Sequence, residues 1–406
     1  MQAMRAIFKA TVCTLLLCLF LVSAAPAQRL PEAEPEEVGM SRAQLGLLDR
    51  VMAEALQKRD FPGAVILVGR EGKVVFRKAY GLSQWVPDER PMRVDMLFDL
   101  ASITKPVATT SAAMILLEQG KLRLWDPVSD FGPDFAPFRD EEGRRGEPIR
   151  VWHLLTHTSG LLPFLHNEEI EQHLGIPCTL DDMVRYIGGL AKLFPAGEEF
   201  LYSDLDFITL GFIVETVSGQ GLAEFCQDHI FAPLKMEDTG FCPPENLRPR
   251  CVPTEVMDDG PLQGFVHDPR ARLLGGVAGH AGLFSTADDL SVFAQMLLNR
   301  GEFSGVRILS PLSVDRMTEV YPRAAFSGRG LGWDLDSDFS TNGGDLFGRA
   351  SFGHTGYTGT SFWVDPETRT FVIFLTNRVH PDDTGEAATW RSRVANVVAA
   401  AIRDRD

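Results

Sequence analysis

Apolar positions fall into two rhythms along this chain, one helical and one extended. After Ser41, residues Leu45, Leu48, Val51, Met52 and Leu56 recur three and four apart, which predicts an amphipathic helix with Ser41 as its N-cap. Two apolar runs follow, Ala64 to Val68 and Val74 to Phe76. The turn residues Arg70, Glu71, Gly72 and Lys73 between them predict a β-hairpin. Further on, helical runs at 151–157, 180–190, 207–218 and 287–298 are separated by Gly and Pro clusters. Strand character returns at Ser361 to Val364 and Phe371 to Leu375, across a turn at Asp365 to Thr368. The second of these strands alternates little, so both its faces are expected to be buried. A last helix is expected over 384–402.

Strands near both ends and helices between them predict an α/β protein of the α+β, two-part kind. One antiparallel sheet draws on both termini and is flanked by the terminal helices. A mostly helical domain is inserted. The sheet part reads as residues 28–101 and 330–406, and the insertion as 102–329. The segment from Pro31 to Glu37 is a charged lead-in without periodicity, and no internal repeat is visible.

Composition changes this picture mainly at the N-terminus. Of 406 residues, 45% are hydrophobic and 23% charged, which suits a globular chain with a large core and excludes a disordered one. Arg5 and Lys9 precede an apolar stretch from Ala10 to Val22, and Ala25, Pro26 and Ala27 form a small-residue cleavage pattern. Residues 1–27 therefore read as a signal peptide and the protein as exported, periplasmic or secreted, with no stable membrane span after cleavage. The formal charge of −16 argues against nucleic acid and anionic membranes as partners. Of six cysteines, Cys13 and Cys18 fall in the signal. Cys178, Cys226, Cys242 and Cys251 remain for an oxidising compartment, with Cys242–Cys251 the first pairing to expect and free buried thiols the alternative.

The candidate chemistry begins at Ser102, Ile103, Thr104 and Lys105, which open an apolar helical run. Residues three apart on a helix are neighbours, so one turn can hold a hydroxyl beside an amine. A lysine whose pKa is lowered by burial can take the serine proton and create a nucleophile. The same four residues also suit a plain helix cap with a solvated lysine. Two further segments add what acyl transfer needs. Tyr202, before the helical run at 207–218, offers a phenol that can relay a proton. His354, Thr355 and Gly356 precede the late strand pair, where a Gly-flanked strand lets a substrate backbone approach. There the N–H groups of Tyr357 and Ser102 can form an oxyanion hole. His153 and His157 share the i, i+4 spacing of a metal pair but lack a third ligand, so a structural role is expected, with His157 at a helix end. His280 is expected to make a structural hydrogen bond. No Gly-x-Ser-x-Gly elbow occurs.

In order and in type, these three segments resemble the serine β-lactamase and penicillin-binding protein superfamily, whose motifs are Ser-x-x-Lys, Tyr-x-Asn and Lys-Thr-Gly. The runs from Trp152 to Gly160 and from Gly279 to Thr286 look like its class C-related esterases, peptidases and amidases, and the resemblance extends from about residue 36 to the C-terminus. It implies the two-part fold with the active site in the cleft between the parts. It also implies Ser102 as nucleophile, Lys105 as base and Tyr202 as proton shuttle, with no metal and no cofactor. Two positions depart from the family pattern. His354 stands where the lactamases carry lysine, so a permanent cation is replaced by an imidazole. Asp204 stands where they carry asparagine, so an amide is replaced by a carboxylate, free to pair with Lys105 or with a substrate N–H or ammonium.

The expectation is an exported serine hydrolase that cleaves an ester or amide through an acyl-enzyme on Ser102. Its substrate is expected to be a small molecule or a peptidoglycan fragment, as for a D-alanyl peptidase or muramyl-peptide amidase. A broad-range esterase is the alternative, followed by a β-lactamase and by a non-catalytic binding protein that keeps the fold.

Overall fold

Alternation along the hairpin strands decides which layer each side chain joins. The computed structural model describes residues 29–132, 135–176 and 178–404, so the expected signal at 1–27 lies outside it. In chain order the elements that build the frame are α1 (Leu47–Lys58), β1 (Gly63–Arg70), β2 (Lys73–Gln84), β3 (Arg90–Pro91), α2 (Ser111–Glu118), α3 (Asp204–Ser218), α4 (Ala287–Leu298), β4 (Phe352–Thr355), β5 (Ser361–Asp365), β6 (Thr370–Thr376) and α5 (Ala388–Ala399). The six strands form one antiparallel sheet in the order β4-β5-β6-β1-β2-β3, so the two ends of the chain meet at its centre, where β1 pairs with β6. The β1–β2 turn places both Glu71 and Gly72 at positive φ, the geometry that matches strand twist in a two-residue hairpin.

Ala64, Ile66 and Val68 face one side, with Val372 and Phe374. There they meet Leu48 and Met52 of α1 and Trp390, Val394 and Val398 of α5. Val65, Leu67, Ile373 and Leu375 face the other side and join the large core. Helix α4 lies on β1 and β6 from that side, and α2 and α3 pack against each other within the same core. Strand β6 is buried at every position, as its continuous apolar run requires. Ser41 caps a first turn, Arg42–Leu45, accepting from the Gln44 N–H at 3.3 Å. The helix breaks at Gly46 before α1 resumes.

The expected Cys242–Cys251 bond does not form; all four described cysteines are free. The two side chains face different ways. Cys251 is packed in a small core with Leu97, Val266 and Phe284, whereas Cys242 is exposed with its Sγ 3.3 Å from the Gly275 carbonyl. Among the described residues no helix is long and apolar enough to cross a membrane.

Candidate active site

Ser102 sits on a tight 3-10 turn, Ala101–Ile103, that leads into a π-helical turn, Lys105–Thr110, and then α2. The segment before it is pinned. The Asp99 carboxylate accepts the Ala101 N–H at 2.8 Å and the His267 N–H at 2.6 Å, and the Leu100 N–H bonds the Leu283 carbonyl at 2.9 Å. Ala101 is held at φ 46°, a strained conformation for a residue with a Cβ, directly before the serine. Helical spacing then brings Lys105 Nζ to 3.0 Å from Ser102 Oγ.

Lys105 is fully buried, and its other donors go to Asp204 Oδ1 at 2.8 Å and the His280 carbonyl at 3.1 Å. Burial alone would lower its pKa, as the sequence suggested. The Asp204 carboxylate and the Tyr202 side chain outweigh burial, and the net shift is upward. Lys105 therefore rests as an ammonium, and the expected depressed lysine is corrected by the residue that replaces asparagine. Asp204 also lies 3.5 Å from the Arg270 guanidinium. The ammonium sits 4.9 Å from the Tyr202 ring centre, over its face.

Tyr202 is held by a residue that sequence reading placed at a helix end. The His157 carbonyl accepts the Leu201 N–H at 3.0 Å, its Nδ1 accepts the Ser203 N–H at 3.2 Å, and its ring lies 4.3 Å from the Tyr202 ring. Burial first, then Arg329 and Lys105, push the His157 pKa well down, so the ring is neutral. His153 points elsewhere, with Nδ1 accepting the Arg150 N–H at 2.8 Å, so the two histidines form no metal pair. His354, on β4, is also buried and neutral, lowered by burial and then by Arg329 and Lys105. Its Nδ1 bonds the Thr355 carbonyl at 2.8 Å, which fixes the proton on Nδ1 and leaves Nε2 an acceptor.

After β4 the chain turns at Gly356, Tyr357, Thr358 and Gly359, and this turn is stitched to the serine segment. Thr358 Oγ1 donates to the Asp99 carbonyl at 2.7 Å and Thr360 Oγ1 to the Leu100 carbonyl at 3.2 Å. A Cβ on Gly356 would collide with the Leu100 carbonyl and the Thr360 hydroxyl, so only glycine permits this approach. Two cavities open from this point and share Ser102, Tyr202 and Tyr357. One, of about 340 Å³, is lined by Arg329, Arg378, Arg391, Asn342, His354 and Thr355. The other, of about 500 Å³, is lined by Asp204, Glu255, Asp268, Asp383, Arg270 and Phe164. Within it Asp204, Asp268 and His280 bring ligand-type atoms within 4.8 Å of one another. Those acids are already engaged: Asp204 by Lys105, and Asp268 by His280 at 2.9 Å and Arg270 at 2.5 Å.

The Beta-lactamase family model matches residues 48–396. The chain belongs to the Beta-lactamase family. It is a serine hydrolase, as the family and its hydrolase-named members require. A Bacillus subtilis (strain 168) protein named N-acetylmuramyl-L-alanine amidase is 31% identical over 380 residues, 86% of this chain and 85% of that one. An Escherichia coli K12 protein provisionally named D-alanyl-D-alanine carboxypeptidase is 29% identical over 385 residues, 88% of each chain. Among solved structures, EstCE1, described as a hydrolase with promiscuous acyltransferase activity, superposes with a TM-score of 0.71 at 26% identity, covering 88% of this chain and 99% of that one.

In this Beta-lactamase family member the fold gathers Ser102, Lys105, Tyr202, Asp204, His354, Thr355, Gly356 and Tyr357 around one cleft. Sequence reading missed Arg329, Arg391, Asp268 and Arg270, which come from distant segments without a local motif. It also missed the grip of His157 on the tyrosine loop. The family-like run from Trp152 to Gly160, which contains His157, is the signal in the sequence that points to it.

Proposed function

We propose that Ser102 is the nucleophile of an acyl-transfer site that hydrolyses amide bonds in peptidoglycan-derived peptides. The observation that carries this reading is the 3.0 Å contact between Lys105 Nζ and Ser102 Oγ at the junction of two oppositely charged cavities. Lys105 starts as an ammonium and must release a proton before acting as base, and Asp204 at 2.8 Å is the nearest anionic acceptor. Neutral Lys105 then takes the Ser102 proton as Oγ bonds to the substrate carbonyl carbon. The oxyanion rests on the N–H groups of Ser102 and Tyr357. Tyr202 passes a proton to the leaving amine and recovers one from Lys105. Water, deprotonated by the same pair, releases the acyl group, Oγ regains its proton, and Asp204 returns its proton to Lys105 to restore the ammonium.

The charged lining supports a peptide with a carboxylate and an ammonium more than a neutral ester. The names of the amidase and carboxypeptidase relatives support the same substrate class. The likeness to EstCE1 favours a second reading, a broad-range esterase at the same serine. We further propose export through residues 1–27, in line with cell-wall relatives. Assaying muropeptides beside p-nitrophenyl esters, with Ser102→Ala as control, tests the proposal. Muropeptide turnover that vanishes in the variant is expected. Ester turnover alone would establish the second reading, and unchanged turnover in Ser102→Ala would overturn both.

A further inference from the structure

Arg391 lies on α5, far in sequence from every motif of the site. Its side chain is nevertheless 9% exposed and inserted behind the turn that follows β4. Its Nη2 donates to the Gly356 carbonyl at 2.6 Å, its Nε to the Gly359 carbonyl at 3.2 Å, and its Nη1 to Asn342 Oδ1 at 3.3 Å. Gly356 O also accepts the Gly359 N–H at 3.0 Å. Burial, and then Arg378 nearby, bring the Arg391 pKa down to about 10, so the group still carries its charge at neutral pH.

The Gly356 carbonyl and the Tyr357 N–H belong to one peptide plane. In a trans peptide the C=O and N–H bonds point in opposite directions. A cation fixed on the oxygen therefore aims the hydrogen the other way. Tyr357 lines both cavities beside Ser102. A charge-assisted bond to the oxygen is also stronger than a neutral one and polarises the amide, making its N–H a better donor. The threonine hydroxyls of residues 358 and 360 set the distance between this turn and the serine segment. They make no bond to the 356–357 plane, so they do not set its tilt.

We propose that Arg391 is the positioning residue of the oxyanion hole: its guanidinium orients and polarises the Gly356–Tyr357 peptide so that the Tyr357 N–H faces the tetrahedral intermediate. The inference rests on the acyl-transfer reading above. It places a determinant of transition-state binding on the C-terminal helix, 35 residues from the carbonyl it holds.

The test is the rate at which a fluorophosphonate labels Ser102, because the phosphonyl oxygen occupies the position of the oxyanion. Labelling is followed by intact mass in the wild type, Arg391→Met and Arg391→Lys, with ester kcat and KM measured in parallel. Loss of one oxyanion donor costs roughly 100- to 1,000-fold in kcat, so a misaimed donor should cost about 10- to 100-fold. Arg391→Met is expected to lose that much in labelling rate constant and in kcat. KM should stay within about threefold, and final labelling should remain one per chain. Arg391→Lys keeps the charge but cannot bond both glycine carbonyls, and should fall between. It carries the test should the Met variant fail to fold by circular dichroism. A merely structural arginine would lower the fraction of chains labelled and leave the rate constant of the remainder unchanged; that result overturns the inference. Failure of the wild type to label at Ser102 overturns the acyl-transfer reading itself, and this inference with it.

Discussion

The two cavities beside Ser102 solve opposite electrostatic problems. On one side, three arginines and His354 crowd together with Asp334 as the acid in the lining. Burial and the neighbouring cations drive His354 to its neutral form, so the imidazole lowers the cost of the crowding by shedding its charge. On the other side, carboxylates predominate, each beside a basic group: Asp204 by Lys105, Asp268 by Arg270 and His280, Glu255 by His267, Asp383 by Arg378. Burial would raise the Asp268 pKa, yet His280 and Arg270 outweigh it and hold the carboxyl well below its usual range. Asp204 does the same for Lys105, holding it as an ammonium. A buried histidine can shed its charge near neutral pH, whereas a lysine beside a carboxylate keeps it. The family position changed from lysine to histidine lies in the cationic cavity, and the one changed from asparagine to aspartate lies in the acidic one. The two departures act differently: neutral His354 removes a cation from the crowded arginine side, whereas Asp204 adds an anion to the acidic one.

Removing the proton-relay hydroxyl of Tyr202, one of the residues common to both cavities, should have the largest effect. Tyr202→Phe is expected to lower kcat about 100- to 10,000-fold, the range for a general acid–base group, with little change in melting temperature. A loss below tenfold would take the proton shuttle away from Tyr202. The next prediction concerns pH. Asp204 raises the Lys105 pKa, so Asp204→Asn should lower it, and a given pH will then hold more neutral lysine. The acid limb of kcat/KM should move to lower pH, and a limb that stays put or moves up would show that Lys105 is not the group titrating there. The smallest effects belong to rim charges. Glu255→Gln should reduce the preference for cationic over neutral ester probes about two- to fivefold, and Arg378→Gln should do the same for anionic probes, because each charge is half-buried and already paired within the protein, with His267 and Asp383 respectively. Competition assays on paired probes would measure both, and equal responses to both probe charges would dissolve the contrast between the cavities.

Much of this molecule was legible before folding. The hairpin, the doubly buried β6, α4 and α5 follow from apolar spacing, which is a local property of the chain. One antiparallel sheet drawn from both termini follows from strands clustered at both ends; that β1 pairs with β6 comes only from the fold. Ser102 and Lys105 were legible for the same local reason, being one helical turn apart. Arg391 was not, because its three acceptors lie 32 to 49 residues away in sequence and are mostly backbone carbonyls. The Cys242–Cys251 expectation failed because closeness in sequence does not set the direction of a side chain. The lysine expectation failed in a different way: burial was anticipated correctly, but the sign of its pKa shift depended on a carboxylate 99 positions away.

Sequence alone determined where the strands and helices fall and the reaction class that Ser-x-x-Lys could serve, since both depend on residues within a turn or two of one another. The tertiary structure alone decided the direction in which the Lys105, His157 and His354 pKa values shift and which distant side chain grips the Gly356 carbonyl. Those follow from Coulomb interactions and hydrogen bonds between groups that only folding brings within a few ångströms.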